Sequence, residues 1–367
     1  MERTTAISNK FRAAAGLLVA VLFMSSPSGV RGRAAAGNKI TPNCMASDNI
    51  TACVCKESET ASLRKDGQSD SATLSESINS VTIQCPTTGD FKFVPSTLTE
   101  VCTAEETNIT LKTCEGDNNN KNKSPITAFL VDVDGNNAPK WTVAPPDSKT
   151  HSLTLPAENF PRVDKSFFAG CLKTSSSRQR NADVECLVKV DVKARTSAVR
   201  DGVLICAYGD KSNTSVPEVT LNAENNSLTI QCGEEGEMQP DPKSLTAYHC
   251  TDTNIENCKT VVNLTEVMPS FAKSWWTQDD KNGKAPKLVI PEGGFPAQEE
   301  TIVLGCNVRR KVSSKGQKEE PNITATLPTC RVKVTLTAQP AASDAPTFSC
   351  LGLLAVVFTP FVSFGAY

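Results

Sequence analysis

Leu153-Thr154-Leu155-Pro156, Phe160-Pro161 and Gly170-Cys171 return in the same order as Leu288-Val289-Ile290-Pro291, Phe295-Pro296 and Gly305-Cys306. A single offset of 135 residues relates them, and it also carries Trp141 onto Trp276. Ser80-Val81-Thr82-Ile83-Gln84-Cys85 recurs as Ser227-Leu228-Thr229-Ile230-Gln231-Cys232, and Cys186-Leu187-Val188-Lys189-Val190 as Cys330-Arg331-Val332-Lys333-Val334. The chain is therefore a tandem duplication. Its period is too long for a solenoid, and each copy, at about 140 residues, is large enough to bury a core of its own.

Each copy carries a six-cysteine frame: Cys55, Cys85, Cys102, Cys114, Cys171 and Cys186 in the first, and Cys206, Cys232, Cys250, Cys258, Cys306 and Cys330 in the second. Cys44 and Cys53 form a further pair outside the frame, and Cys350 is the odd member of the fifteen. Cysteine usage of this kind suits an oxidising compartment.

The ends agree with a secretory route. Arg3, Lys10 and Arg12 precede an apolar run from Ala13 to Met24 and the small residues Ala34-Ala35-Ala36-Gly37, the pattern of a signal peptide over residues 1–36. At the other end, Ala341-Ala342-Ser343-Asp344-Ala345 lead through a short spacer to an apolar tail from Leu351 to Tyr367 with no charge after it. Residues 339–367 thus read as a GPI-attachment signal with Ser343 as the acceptor. A single tail-anchored span is the alternative, for which this tail is at the short limit. Asn49, Asn108, Asn122, Asn213, Asn225, Asn263 and Asn322 each begin an Asn-X-Ser/Thr sequon.

Between the cysteines, apolar residues alternate with polar ones over short runs such as Val81-Ile83-Cys85, Val188-Val190-Val192 and Val332-Val334-Leu336. That is the period of half-buried strands. Clusters rich in Asn, Asp, Ser or Gly at 117–124 and 279–284 punctuate them at the spacing of an antiparallel sandwich. The expectation is an all-β chain of two disulfide-stapled β-sandwiches at 44–194 and 203–338. A short linker at 195–202, lacking strand alternation at its centre, joins them.

The order Cys85-Pro86, Phe93-Val94-Pro95, Phe160-Pro161, Gly170-Cys171, Cys186-Leu187-Val188-Lys189-Val190 and Cys206-Ala207-Tyr208-Gly209 resembles the SRS family, the surface-antigen-1-related proteins of Toxoplasma-type coccidian parasites. The resemblance implies a GPI-anchored coat protein on the parasite plasma membrane, with two β-sandwiches of cupredoxin-like topology. It also implies nested bridges: Cys55–Cys186, Cys85–Cys171 and Cys102–Cys114, then Cys206–Cys330, Cys232–Cys306 and Cys250–Cys258. Cys44 and Cys53 depart from the simplest family pattern, so they either bridge each other or Cys53 competes for Cys186. The function implied is attachment to host-cell surface glycans or receptors, sulfated glycosaminoglycans among them, together with exposure to host antibodies. The alternative is a coat or decoy protein with no specific ligand. A homodimer is a further partner to consider, and nucleic acid is not.

The residues argue against catalysis and cofactors. A blue-copper centre needs two histidines and a free thiolate, whereas each copy has one histidine, His151 or His249. No nucleophile elbow, zinc-protease helix or phosphate loop occurs. His249 reads as a surface loop histidine, and the paired acids Glu105-Glu106, Asp279-Asp280 and Glu319-Glu320 as solvated charge. For a polyanion, residues 44–190 count 15 Lys/Arg against 19 Asp/Glu, which offers no bulk attraction. The family's basic groove, at the far end of the first domain, would here draw on Lys121, Lys123 and Lys140. The densest basic run is Arg309, Arg310 and Lys311 with Lys315 and Lys318 in the second domain.

Overall fold

The fold is that of a computed structural model describing residues 40–57, 69–103, 110–116, 121–144, 149–173, 184–252, 254–309 and 326–339. The first half contributes β1 (Ile40–Ser47), β2 (Ile50–Glu57), β3 (Ser71–Leu74), β4 (Ser80–Gln84), β5 (Phe91–Val94), β6 (Glu100–Cys102), helix α1 (Leu111–Glu115), β7 (Lys123–Pro125), β8 (Thr142–Val143), β9 (Thr150–Thr154), β10 (Lys165–Lys173) and β11 (Val184–Val192). The second contributes β12 (Ala198–Arg200), β13 (Val203–Ile205), β14 (Glu218–Leu221), β15 (Ser227–Gln231), β16 (Gly236–Gln239), β17 (Thr246–His249), β18 (Thr260–Asn263), helix α2 (Leu264–Val267), β19 (Trp276–Asp279), β20 (Ala285–Val289), β21 (Glu300–Val308) and β22 (Cys330–Leu336).

One sheet of the first half runs β1-β2-β4-β9-β8 and its partner β3-β11-β10-β6-β7, with β5 also on β10. In the second half each strand is replaced by the one numbered eleven higher, so the duplication extends to every pairing. The sheets are not purely antiparallel: β2 pairs β4 and β3 pairs β11 in parallel, and their counterparts do likewise. The chain leaves β2, crosses to the facing sheet for β3 and returns to β4. A strand that returns beside its origin after a full crossing runs in the same direction.

Two boundaries differ from the sequence expectation. The first strand starts at Ile40, ahead of residue 44, because Ile40 is buried in the core. Residues 195–202 are not a bare linker: β12 lies within them and pairs antiparallel with β13. Asp201 and Gly202, both at positive φ, make the tight turn between those strands, a conformation that Asp-Gly adopts readily.

Seven bridges staple the fold. Cys55–Cys186 and Cys85–Cys171 tie the two sheets of the first half, and Cys206–Cys330 with Cys232–Cys306 do so in the second. Cys102–Cys114 fastens α1 to β6, Cys250–Cys258 closes a loop after β17, and Cys44–Cys53 links facing residues of β1 and β2. The repeated Gly-Cys has a steric cause. A Cβ on Gly170 would strike the Cys186 carbonyl, and one on Gly305 the Cys330 carbonyl, so only glycine lets the long strands close at the bridged end.

Trp141 anchors the first core, fully buried with its edge toward Phe93 and its Nε1 donating to the Glu100 carbonyl at 3.2 Å. Trp276, its match by sequence offset, is only half-buried, and Trp275 with Phe271 fills the second core instead.

Candidate functional site

The end of the first domain that carries Cys85 is built from five strands. β2 and β4 finish there side by side, β9 begins there opposite Gln84, and β5 pairs with the last residues of β10. This topology brings together Lys56, Lys92, Lys149 and Lys173, which are far apart in sequence and were not singled out from it. Lys149 donates to the Phe91 carbonyl at 2.9 Å, and the Lys173 ammonium sits 5.6 Å from the Phe91 ring centroid. Lys92, between Phe91 and Phe93 on β5, points outward by strand alternation and is exposed.

Two shallow grooves flank Cys85. One, about 360 Å³, is lined by Lys92, Lys149, Phe93, Ser96 and His151. The other, about 220 Å³, is lined by Lys56, Gln84, Pro86, Thr87 and Thr88. Asp90 is the acid in the β4–β5 turn. His151 is a wall rather than a cation: it stacks on Phe93 at 4.0 Å, and burial lowers its pKa despite the Lys149 backbone alongside.

The duplication supplies an internal comparison. In the second domain these lysine positions are Ala207, Glu237, Lys284 and Val308, and Gly236 and Met238 replace Phe91 and Phe93. That end of the second domain faces the first domain, whereas the lysine-bearing end faces away from the second.

The basic residues named from sequence are not brought together. Lys123 lies on β7 of one sheet, its ammonium 3.5 Å from the Glu115 carbonyl, while Lys140 sits just before β8 of the other. Lys121 is exposed beside β7. Arg309 follows β21 and is tied back to β16, its amide donating to the Glu235 carbonyl at 2.7 Å and its Nη2 to that of Gly236 at 3.3 Å. Arg310, Lys311, Lys315 and Lys318 lie outside the described residues, as do Asn108, Asn322, Ser343, the N-terminal signal and the C-terminal signal from residue 340 onward.

His249 is not on a loop. It ends β17, and its Nε2 lies 2.8 Å from Glu300. Asp279 caps a turn, accepting from Thr229 and Asn282 and from the Lys281 amide, and these bonds lower its pKa, that from Asn282 most. It borders a groove of about 890 Å³ on the outer face of the β13-β15-β20-β19 sheet. Arg200, Lys281 and Lys287 are balanced there by Asp201, Asp279 and Asp280, so that surface offers a polyanion no net attraction.

Of the described sequons, Asn49 is exposed at the β1–β2 turn, and Asn225 and Asn263 are exposed. Asn122 is half-buried, its carbonyl accepting from the Thr103 amide. Asn213 is also half-buried, with its amide nitrogen donating to the Ala207 carbonyl at 2.8 Å. Among the described residues, no helix is long and apolar enough to cross a membrane.

Comparison with known proteins agrees with this architecture. The bradyzoite-specific antigen BSR4 of Toxoplasma gondii superposes with a TM-score of 0.59 at 28% identity, covering 82% of this chain and 98% of that one. SporoSAG of Toxoplasma gondii matches at 16% identity and a TM-score of 0.24, over 73% of this chain and 94% of its own. No curated protein matches the chain significantly. The SRS domain model matches twice, over residues 49–192 and 202–336. With both halves of the duplication so matched, the chain belongs to the SRS domain family of surface antigens.

Proposed function

We propose that this protein is a GPI-anchored surface antigen whose first domain attaches the parasite to polyanionic glycans on host cells. The observation that carries the reading is the set Lys56, Lys92, Lys149 and Lys173 at the end of the first domain facing away from the second. Three of the four are uncharged or acidic in the second domain, where the matching end is covered by its neighbour. Anchoring through Ser343 would direct this end outward from the membrane. The grooves beside Cys85 are shallow and mixed in lining, which suits a flexible sulfated or carboxylated chain held by several charges.

A heparin-coated sensor surface tests the reading. Each exposed ion pair is worth about 0.2–1 kcal/mol, so changing all four lysines to Ser is expected to weaken binding by about tenfold or more. It should also flatten the salt dependence, because fewer screened contacts remain. Unchanged affinity in this variant, with loss on changing Arg309, Arg310 and Lys311, would move the site to the second domain. No binding by the wild-type protein to any acidic glycan would leave the decoy reading.

A further inference from the structure

At the contact between the two domains, one side chain of the first fills a socket in the second. Arg162 of the first domain is only 6% exposed. Its Nη1 donates to the Cys206 carbonyl at 2.8 Å and lies 3.4 Å from that of Gln231. Its own carbonyl accepts from the Tyr208 amide at 2.6 Å. Gly233, at φ +74°, forms the floor: a Cβ there would lie 2.5 Å from Arg162 Cδ. Tyr208 closes the side, its hydroxyl donating to the Cys232 carbonyl at 2.8 Å. Beside the socket, Ala194 donates to Asp164 at 2.8 Å, and the Arg195 amide to the Pro161 carbonyl at 2.9 Å.

The duplication gives each half of this contact a second occurrence, and neither is usable. Arg195 matches Gln339, whose amide likewise donates to the Pro296 carbonyl at 2.8 Å, so the backbone at the far end of the second domain repeats that of the first. The residue after Pro296 is Ala297, where the first domain has Arg162. At the opposite end, the socket residues Cys206, Gln231, Gly233 and Ala207 match Cys55, Gln84, Pro86 and Lys56, and these line the groove of about 220 Å³. Pro86 puts a ring where Gly233 leaves room, and Lys56 puts a like charge where Ala207 has none. Of the two copies, the first thus supplies the inserting arginine and the second the socket able to receive it.

We infer that Arg162 and the Cys206–Gln231–Gly233 socket form a single-use clasp that makes the two domains one rigid body. A guanidinium has five N–H groups in a fixed fork. Spent on two carbonyls of separate strands and enclosed by tight glycine contacts, it fixes orientation as well as contact. Swivelling about residues 193–197 would leave a buried charge and two carbonyls without partners, a larger loss than flexing an exposed linker.

Hydrogen exchange on the whole chain, produced in a secretory host, tests this. In the wild type the Tyr208 and Arg195 amides should be as well protected as those of β10 and β21. Arg162→Ala installs the residue the second domain carries at this place, and Gly233→Ala blocks the socket from the other side. Both variants should speed exchange at Tyr208, whose amide bonds across the contact, at least tenfold while leaving Arg195, β10 and β21 protected. X-ray scattering of both should show a broadened distribution of maximum dimension. The inference is overturned if the wild-type Tyr208 amide exchanges like an exposed loop, or if either variant leaves it unchanged. It is equally overturned if each variant loosens only the core of its own domain and scattering stays that of a fixed rod.

Discussion

Replacing Cys85 and Cys171 together by Ala isolates what an inter-sheet staple contributes. The bridge closes 86 residues of chain, for which the chain-entropy relation gives about 4.6 kcal/mol. It is nested inside Cys55–Cys186, which closes 131 residues, so the unfolded chain without the inner bridge is already constrained. The alternative path between Cys85 and Cys171 runs back to Cys55, through the outer bridge and on from Cys186, and is shorter than the direct one. Two paths in parallel behave as a loop of about 30 residues, which lowers the expected cost to about 3.6 kcal/mol. For a domain of this size that corresponds to a fall of roughly 10–15 °C in Tm. Scanning calorimetry should show the transition of the first domain moving by that amount, and that of the second by much less. A shift under about 1 kcal/mol would refute the view that the bridge acts by confining the unfolded chain. Equal shifts in both transitions would refute the assignment of a separate core to each domain.

Two smaller predictions concern His151 and the sequons. Burial holds the folded-state pKa of His151 below its ordinary value, so below about pH 6.5 the unfolded chain binds the extra proton first and stability falls as pH drops. His151→Phe should remove part of the difference in first-domain Tm between pH 7.5 and 5.5, and an identical pH profile in the variant would contradict it. Because Asn213 is half-buried with its amide nitrogen bonded to the Ala207 carbonyl, whereas Asn49 is exposed at a turn, peptide mass spectrometry after glycosidase treatment should find glycan on Asn49 and none on Asn213. Full occupancy of Asn213 would contradict this.

The sandwich and its duplication were legible because both depend on local pattern. Period-two alternation survives in β4, β11, β15 and β22 whatever they pair with, and Gly170-Cys171 recurs because a carbonyl lies where a Cβ would be. The Asp201-Gly202 turn was equally present as a hairpin signal, but β12 is three residues long and its alternation too brief to outweigh a linker reading. The parallel pairs were hidden because crossing between sheets leaves no mark within a strand. The bridge pairing came from family resemblance, since spacing alone leaves fifteen connectivities per domain.

The lysine end was missed for a reason that also explains its chemistry. A search for basic runs finds charges adjacent in sequence, such as Arg309-Arg310-Lys311. Lys56, Lys92, Lys149 and Lys173 each stand alone at the margin of a different strand, and only the topology, by ending β2, β4 and β10 and beginning β5 and β9 at one face, makes them neighbours. The same face of the second domain receives Arg162, and there Glu237, Ala207 and Gly233 stand where Lys92, Lys56 and Pro86 stand in the first. One architectural position therefore differs in charge between the two copies, four lysines in the first against one lysine and one glutamate in the second. Where it accepts a guanidinium it carries no lysine at the socket, and where it faces outward it is lined by ammonium groups that would repel that same guanidinium. Covered or open, the position differs in both bulk and charge, with Gly233 and Ala207 on the covered face and Pro86 and Lys56 on the open one.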